Sequence, residues 1–257
     1  MIAYAGGWLE PDRWRALENC VCFHAIPSSN ALARELIELY FDEGQGIRTT
    51  VLAAEAQPGA YGRNERRWQA PAGQGLYLTL VRRVGESEPL SIVPLAAARW
   101  TREVLVGETG AAIELKWPND LYVGRRKLAG VIAESRTQGD DTCVAIGIGV
   151  NVRGASSGLG VANATTLEEE TGKSLALAPL LQALLDRFDR ELAEPRWDEE
   201  VRAWELVATH RPGDRLTVRR NGEEITGAYV GLDRSGFLRL ETDAGETTVA
   251  SGEVAAW

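Results

Sequence analysis

The stretch KWPNDLYVGRRKLAG, residues 116–130, carries four cationic side chains although the net charge of the chain is −9. Its Trp-Pro-Asn-Asp segment predicts a turn, because asparagine and aspartate side chains bond to nearby backbone. VGRR, residues 123–126, is a second turn composition, and KLAGVIAES, residues 127–135, is β-prone. A cationic hairpin in an acidic protein indicates a site for a small anion.

The segments around this stretch predict a mixed α and β protein. AAIELKW and DTCVAIGIGVNV are β-prone, and together with KLAGVIAES they predict an antiparallel meander. The pattern of residues 31–44 predicts a helix that is capped by Ser28 or Ser29 and stopped by Gly44. Further along, residues 49–57 and 75–83 predict strands, 89–110 a buried helix ending near Gly107, and 165–206 a helical region.

The pattern changes at Arg211-Pro212-Gly213. Beyond it, apolar and polar residues alternate, with turn compositions at NG, DRSG and DAG. This pattern predicts a small β-barrel of about 45 residues. We therefore expect two domains, residues 1–210 and residues 211–257.

Composition excludes several classes of protein. No apolar run approaches the ~20 residues that span a bilayer, and the N-terminus lacks the basic flank and apolar core of a signal peptide. We therefore expect a cytoplasmic protein that does not bind membranes. The acidic net charge argues against a nucleic-acid surface. Three cysteines and two histidines show no metal-site spacing, so we expect no metal-ligating residues.

Residues 57–80 contain a glycine-rich loop with Arg63, Arg66 and Arg67. Bare backbone at glycines approaches a ligand closely, and guanidinium groups bind anions in a forked geometry. The loop lies between two predicted strands and is too long for a simple hairpin, which favours a binding loop. A solvated arginine loop fits the composition equally well. The loop matches neither a Walker motif nor GxGxxG.

Two further features remain open on spacing alone. Lys127 begins a largely apolar strand, where a lysine directed to solvent is as compatible with the pattern as a ligand contact. Gly147 and Gly149 lie on a predicted core strand that ends in Asn151. Because glycine weakens a strand, we expect another group to lie close against it.

Taken in order, these motifs resemble those of biotin protein ligases, also called biotin-[acetyl-CoA-carboxylase] ligases. The resemblance rests on SSN, AEAQ followed by GRNERRWQAPAGQGLYLTL, KWPNDLYVGRRKLAG, IGIGVNV, ATTL and SGEV. It implies an α+β fold with a mixed, mainly antiparallel sheet flanked by helices, like class II aminoacyl-tRNA synthetases. It also implies that the C-terminal barrel is SH3-like.

The resemblance implies an ATP-dependent ligase that works in two steps. Biotin and ATP form biotinyl-5'-AMP, and a lysine of a biotin carboxyl carrier protein domain then attacks this anhydride. Mg²⁺ is expected to accompany ATP. Whether the protein is a monomer or a homodimer stays open.

Residue roles follow from the same resemblance. Lys127 is expected to contact the biotin carboxylate, Arg63 to close over the intermediate and Asp120 to handle the acceptor lysine. The implied biotin-binding residues are Ser28, Ser29, Asn30, Gln57, Tyr61, Gly62, Arg63, Trp68, Lys127 and Gly130. The implied nucleotide-binding residues are Arg63, Arg66, Trp68, Lys116, Asn119, Lys127 and Asn151.

The chain departs from the family pattern at several places. The arginine loop of the family commonly reads GRGRxGRxW, whereas this chain has Ala60, Tyr61 and Glu65 at three of those positions. We therefore expect weaker retention of the adenylate. Residues 153–163 lack an aromatic side chain that would stack on adenine. The first motif begins at Ser28, too early for the winged helix-turn-helix that some members carry, so we expect no DNA binding.

Two alternatives are compatible with parts of the sequence. A lipoate-protein ligase or octanoyltransferase shares the acyl-to-lysine chemistry, but the RRxSGGG-type loop of those enzymes is missing. A non-catalytic module that sequesters biotin or the carrier would tolerate the altered loop. Lys127, Asp120 and Gln57 favour an enzyme over such a module.

Overall fold

A seven-stranded sheet forms the larger part of the molecule in the computed structural model, which describes residues 1–44, 46–85, 88–159 and 162–257. Its strands are β3 (Asn19–Ala25), β4 (Thr50–Ala56), β5 (Gly75–Arg83), β6 (Glu114–Lys116), β7 (Asp120–Val123), β8 (Arg126–Gln138) and β9 (Asp141–Asn151). The order is β3-β4-β5-β9-β8-β7-β6, and only the β3–β4 pair is parallel. The predicted α+β fold with a mainly antiparallel sheet is confirmed.

Helices cover both faces of this sheet. They are α1 (Ser29–Glu43), α2 (Val93–Thr109), α3 (Leu167–Thr171), α4 (Leu177–Ala193) and α5 (Trp197–Glu205). Side chains alternate across a strand, so Leu80 of β5 joins the main core on the side of α2 and α4, whereas Val81 packs beneath α1. Both faces of β5 are therefore buried. Within the described residues, none of the helices has the length and apolarity needed to cross a bilayer.

The helix predictions hold with one correction. Ser28 caps α1 by accepting a 3.3 Å hydrogen bond from the Ala31 amide, and Gly44 ends that helix with a φ of 66°. The predicted end of α2 near Gly107 is wrong, because the helix continues to Thr109 and ends at Gly110, where φ is 74°. Leu105 and Thr109 stay buried through this last turn, so packing overrides the low helix propensity of Gly107.

The predicted meander is confirmed, and it contains one more strand than the sequence indicated. β7 follows the cis Trp117–Pro118 peptide and pairs with both β6 and β8. Its four residues are too few for an alternating pattern to stand out. β3 and the N-terminal hairpin of β1 (Ile2–Tyr4) and β2 (Gly7–Leu9) were not predicted from the sequence either.

The C-terminal segment forms a five-stranded antiparallel sheet. Its strands are β10 (Arg215–Arg220), β11 (Glu223–Leu232), β12 (Leu238–Thr242), β13 (Gly245–Val249) and β14 (Glu253–Ala256), ordered β13-β12-β11-β10-β14. The NG turn is confirmed, since Asn221 and Gly222 have φ values of 51° and 86°. In the described residues no backbone pairing joins β13 to β14, so the expected closed barrel is not observed. Leu216 and Val218 of β10 share the main core, which joins this sheet to the larger one.

Candidate active site

A cavity of about 590 Å³ collects the predicted site residues. It lies between the start of α1, the arginine loop, the β6–β8 strands, β9 and strand β14 of the C-terminal sheet. Every residue that the resemblance implied contributes to its lining: Ser28, Ser29, Asn30, Gln57, Tyr61, Gly62, Arg63, Arg66, Trp68, Lys116, Asn119, Asp120, Lys127, Gly130 and Asn151. Tertiary folding thus brings five separate motifs to one place.

One end of the cavity is a neutral hydrogen-bond network. The Ser29 amide donates to Gln57 Oε1 at 2.9 Å, and Gln57 Nε2 donates to Ser29 Oγ at 2.9 Å. Ser29 Oγ lies 2.7 Å from Thr79 Oγ1, which in turn donates to Asn30 Oδ1. Since all four side chains are buried, their rotamers are mutually fixed. This end suits an uncharged ligand group that carries both donors and acceptors.

The two strand glycines make room for side chains that face this end. A Cβ atom on Gly149 would lie 2.7 Å from the Trp68 indole, and one on Gly147 would overlap the Asn30 amide. The predicted close approach to this strand is therefore confirmed. Trp68 Nε1 is buried without a hydrogen-bond partner in the described part of the chain. A buried donor of this kind is costly unless a ligand accepts from it.

Lys127 and Asp120 form an ion pair at the middle of the cavity. Lys127 Nζ lies 2.7 Å from Asp120 Oδ1, and the two side chains are 31% and 22% exposed. Gly130 faces Asp120 across the β7–β8 pair, and a Cβ there would lie 3.2 Å from Asp120 Oδ1. The backbone of Lys127 is bonded to Asn163 and Thr165, which keeps the start of β8 in place. The Lys127 ammonium thus lines the cavity, paired with Asp120.

The arginine loop is closed onto the C-terminal sheet. Arg63 Nη1 donates to the Gly252 carbonyl at 2.8 Å, and Arg66 Nη1 lies 2.6 Å from Glu253 Oε2. Burial lowers the pKa of Arg63, and the nearby carboxylates of Asp120 and Glu253 oppose that effect. These two contacts with the C-terminal sheet hold the loop in a position from which its guanidinium groups reach the cavity.

The departures from the family loop pattern have structural consequences. Tyr61 donates a 3.0 Å hydrogen bond to Glu134, and the Arg34 guanidinium lies 5.1 Å from the centre of its ring. Burial, with the adjacent Glu134 carboxylate, raises the pKa of Tyr61 to about 12, so the phenol stays neutral. Glu65 has a φ of 55°, in the left-handed region that favours glycine. Glu65 thus strains the backbone at a position where the family pattern has glycine. Tyr61 attaches the loop to β8 through its hydrogen bond to Glu134.

The remaining polar residues line the other end of the cavity. Lys116 is 4% exposed, and its Nζ lies 3.5 Å from the Tyr122 hydroxyl and 3.9 Å from the centre of the Trp257 ring. Burial lowers the pKa of Lys116 to about 8. Asn151 donates to the Thr165 carbonyl at 3.1 Å, whereas Asn119 Oδ1 is buried without a partner in the described residues. This end of the cavity is cationic.

Sequence reasoning missed several residues of the cavity. The C-terminal segment contributes Arg219, Glu253, Val254, Ala255 and Trp257, and the hairpin contributes Tyr122 and Arg125. The spacing of residues along the chain does not predict the first group, because its nearest member, Arg219, lies 89 residues beyond Gly130, the last residue of the hairpin. Of the segment 153–163, residues 160–161 lie outside the described residues, and Leu159, Ala162 and Asn163 line the cavity.

Comparisons with known proteins agree with this geometry. A family model described as Biotin/lipoate A/B protein ligase family matches residues 31–151, and one described as Biotin protein ligase C terminal domain matches residues 213–257. The biotin–[acetyl-CoA-carboxylase] ligase of Paracoccus denitrificans is 31% identical over 220 residues, which cover 79% of this chain and 88% of that protein. The bifunctional ligase/repressor BirA of Bacillus spizizenii is 28% identical over 239 residues, 89% of this chain and 71% of that protein.

A solved structure extends the similarity to three dimensions. The biotin protein ligase from Aquifex aeolicus, in complex with biotin and ATP, superimposes with a TM-score of 0.75 at 28% identity. The match covers 93% of this chain and 98% of that chain, so it includes both sheets.

Proposed function

This chain belongs to the biotin protein ligase family, and we propose that it activates biotin with ATP and transfers the biotinyl group to a lysine of a biotin carboxyl carrier protein domain. One observation carries the proposal. A single cavity joins a neutral hydrogen-bonding end, built by Ser29, Asn30 and Gln57, to the cationic side chains of Lys127 at its middle and of Arg63 and Lys116 beyond. Biotin has the matching polarity, with a neutral ureido ring at one end and a carboxylate at the other.

Adenylation requires two anions to meet at the middle of this cavity. A carboxylate oxygen of biotin attacks the α-phosphorus of ATP, the bond from that phosphorus to the β-bridging oxygen breaks, and pyrophosphate leaves with the electron pair. Lys127 and Arg63 lower the repulsion between the anions and orient the carboxylate. Since each charge-assisted hydrogen bond contributes about 1.5–3 kcal/mol, the loss of either cation is expected to slow this step strongly.

Transfer requires a neutral acceptor amine. With a reference pKa of ~10.4, only about one lysine amine in 2,500 is neutral at pH 7. When the biotin carboxylate takes Lys127 as its partner, Asp120 is released to accept a proton from the acceptor lysine. The amine then attacks the carbonyl carbon of the anhydride, and AMP leaves with the electrons of the broken carbon–oxygen bond.

The nucleotide enters from the cationic end. Arg66, Trp68, Lys116, Asn119 and Asn151 contact the nucleotide in this proposal, in addition to Arg63 and Lys127. A bound Mg²⁺ ion would supply positive charge to the ATP phosphates. Among the described residues, no three His, Cys, Asp or Glu side chains form a group that could hold a metal ion. The carboxylates that line the cavity are those of Asp120 and Glu253, and they would hold an Mg²⁺ ion that takes most of its ligands from water and phosphate.

The chain divides into a catalytic domain, residues 1–210, and a C-terminal domain, residues 211–257. The lengths and turns of the five C-terminal strands, together with the match of residues 213–257 to the biotin protein ligase C-terminal domain, support an SH3-like barrel for the second domain. Its strand β14 lies against the arginine loop through Gly252 and Glu253. This domain therefore participates in the site.

Two measurements on the whole chain test the function. Biotin-dependent exchange of labelled pyrophosphate into ATP reports the first step, and mass analysis of a carrier domain reports the second. We expect both signals with biotin and neither with lipoate or octanoate. Exchange that depends on lipoate would indicate the other branch of the matched family. Binding of biotin without any exchange would indicate a sequestering module.

A further inference from the structure

Lys116 carries a buried ammonium group within an aromatic enclosure. Its Nζ lies 3.9 Å from the centre of the Trp257 ring and 5.0 Å from that of Tyr122, and the side chain is 4% exposed. In the part of the chain that the structure describes, no carboxylate forms an ion pair with this lysine. A buried ammonium group without a counter-ion is unfavourable, and aromatic faces offset only part of that cost. The group is therefore poised to receive an anion from the cavity.

The Trp257 ring is itself held in place by its neighbours. Tyr122 and His210 meet it at near-perpendicular angles, with centroids 5.5 Å and 6.1 Å away. Arg125 donates to the Trp257 carbonyl and places its guanidinium 4.9 Å from the ring centre. Burial lowers the pKa of His210 to about 4, so this imidazole is neutral near pH 7 and leaves the lysine as the buried cation beside the ring.

Building on the proposed function, we propose that Trp257 is a positioning residue of the nucleotide site. Its ring holds the Lys116 ammonium in the cavity, where that ammonium receives the β- and γ-phosphates of ATP and the departing pyrophosphate. The C-terminal segment thereby completes a phosphate-binding subsite whose charged group, Lys116, belongs to the hairpin of residues 116–130. Stacking of adenine on the same ring is disfavoured, because a base there would displace Lys116 from the aromatic face that stabilises it.

Graded substitution at position 257 tests this role in the full-length protein. Trp257→Phe keeps a smaller π-face, whereas Trp257→Leu keeps an apolar cover without one. We expect Trp257→Leu to raise the KM for pyrophosphate in the exchange reaction about tenfold and Trp257→Phe to raise it about twofold. The dissociation constant for biotin should stay unchanged in both. Trp8→Leu is the matched control, because that indole is 63% exposed on β2.

Two further measurements separate a positioning role from a structural one. In a Lys116→Met background, Trp257→Leu should add no further increase in the KM for pyrophosphate, because the indole acts through the lysine. Fluorinated tryptophan placed at position 257 keeps the shape of the ring and weakens its negative face. The KM should then rise with each added fluorine, which keeps the test valid if Trp257→Leu does not fold.

The outcomes distinguish the inference from the function. Three results would each overturn the role of Trp257. The KM for pyrophosphate could stay constant as fluorines are added, the effects of Lys116→Met and Trp257→Leu on that KM could be additive, or Trp257→Leu could weaken pyrophosphate and biotin binding equally. Wild-type protein that shows no biotin-dependent exchange would instead overturn the proposed function. If the wild-type protein shows exchange but the KM for pyrophosphate does not change with fluorination, the proposed function stands and only the role of Trp257 is rejected.

Discussion

Lys127 Nζ lies 2.7 Å from Asp120 Oδ1. The lysine assigned to adenylation and the aspartate assigned to transfer therefore neutralise each other before any ligand binds. β7 and β8 are adjacent, and Gly130 leaves the space between them open. A carboxylate ligand that attracts the lysine would free the aspartate. The ion pair thus links the arrival of biotin to the availability of a base.

Substitutions in this pair should separate the two chemical steps. Lys127→Ala removes the cation that orients the biotin carboxylate, so pyrophosphate exchange should fall at least about a hundredfold. Asp120→Asn should keep most of the exchange and slow carrier labelling about a hundredfold, because only the second step needs the base. Asp141→Asn, in an exposed ion pair with Arg83, is the control. Equal losses of both signals in Asp120→Asn would contradict the assignment.

A methyl group on Gly149 should block the biotin end of the cavity. The added Cβ would lie 2.7 Å from the Trp68 indole, closer than side chains tolerate, so Trp68 must shift into the ligand space. We expect Gly149→Ala to weaken biotin binding at least about tenfold in calorimetry and to lower the free energy of unfolding by about 1–3 kcal/mol. Gly107→Ala, in α2 with open space around it, should leave biotin affinity unchanged. Normal affinity in Gly149→Ala would show that Trp68 does not face the ligand.

Contacts between the arginine loop and β14 should control how long the adenylate is held. The Arg66–Glu253 pair is 62% and 41% exposed, so Glu253→Gln should speed release of biotinyl-5'-AMP only about two- to fivefold. Arg63→Ala removes a half-buried guanidinium that is hydrogen-bonded to the Gly252 carbonyl, so it should speed release more than Glu253→Gln does, without unfolding the protein. Release can be followed by quench-flow of preformed adenylate. Glu246→Gln is the control, because Glu246 lies on the same sheet and is paired with Arg239. This variant should release biotinyl-5'-AMP at the wild-type rate.

Binding of pyrophosphate should weaken as the pH rises past 8. The groups that face Lys116 are Asp120, Tyr122, Arg125, Lys127, His210 and Glu253. Burial lowers the pKa of Lys116 to about 8, so the ammonium that would bind the anion is lost above that pH. A group with that pKa is about one-tenth charged at pH 9, which predicts a roughly tenfold rise in KM between pH 7 and 9.

Lys116→Arg is the matched control for this titration. A guanidinium stays charged throughout the range, and the ionisation of pyrophosphate itself affects both proteins equally. The KM of Lys116→Arg relative to wild type should therefore fall as the pH rises. Parallel pH profiles for the two proteins would show that Lys116 does not titrate near 8.

Local pattern was sufficient for most elements of the fold. The α1 helix, with its Ser28 cap and Gly44 stop, follows from apolar spacing and from two residues with strong conformational preferences. The same reasoning failed for β7, whose four residues show no readable alternation, and at the end of α2, where burial of Thr109 continues the helix past Gly107. These elements depend on neighbours that a single segment does not contain.

The sequence by itself determined which reactive side chains this protein has, namely those of the arginine loop, Lys127 and Asp120. Their spacing left the loop and Lys127 open, and their roles followed from the resemblance to biotin protein ligases. Only the tertiary structure decided that Glu253 of β14 and Trp257, which follows that strand, face the same cavity as Lys116. The physical reason is the range of the interactions. Turn and strand preferences act over a few residues, whereas contact between residues 116 and 257 depends on the shared core that joins the two sheets.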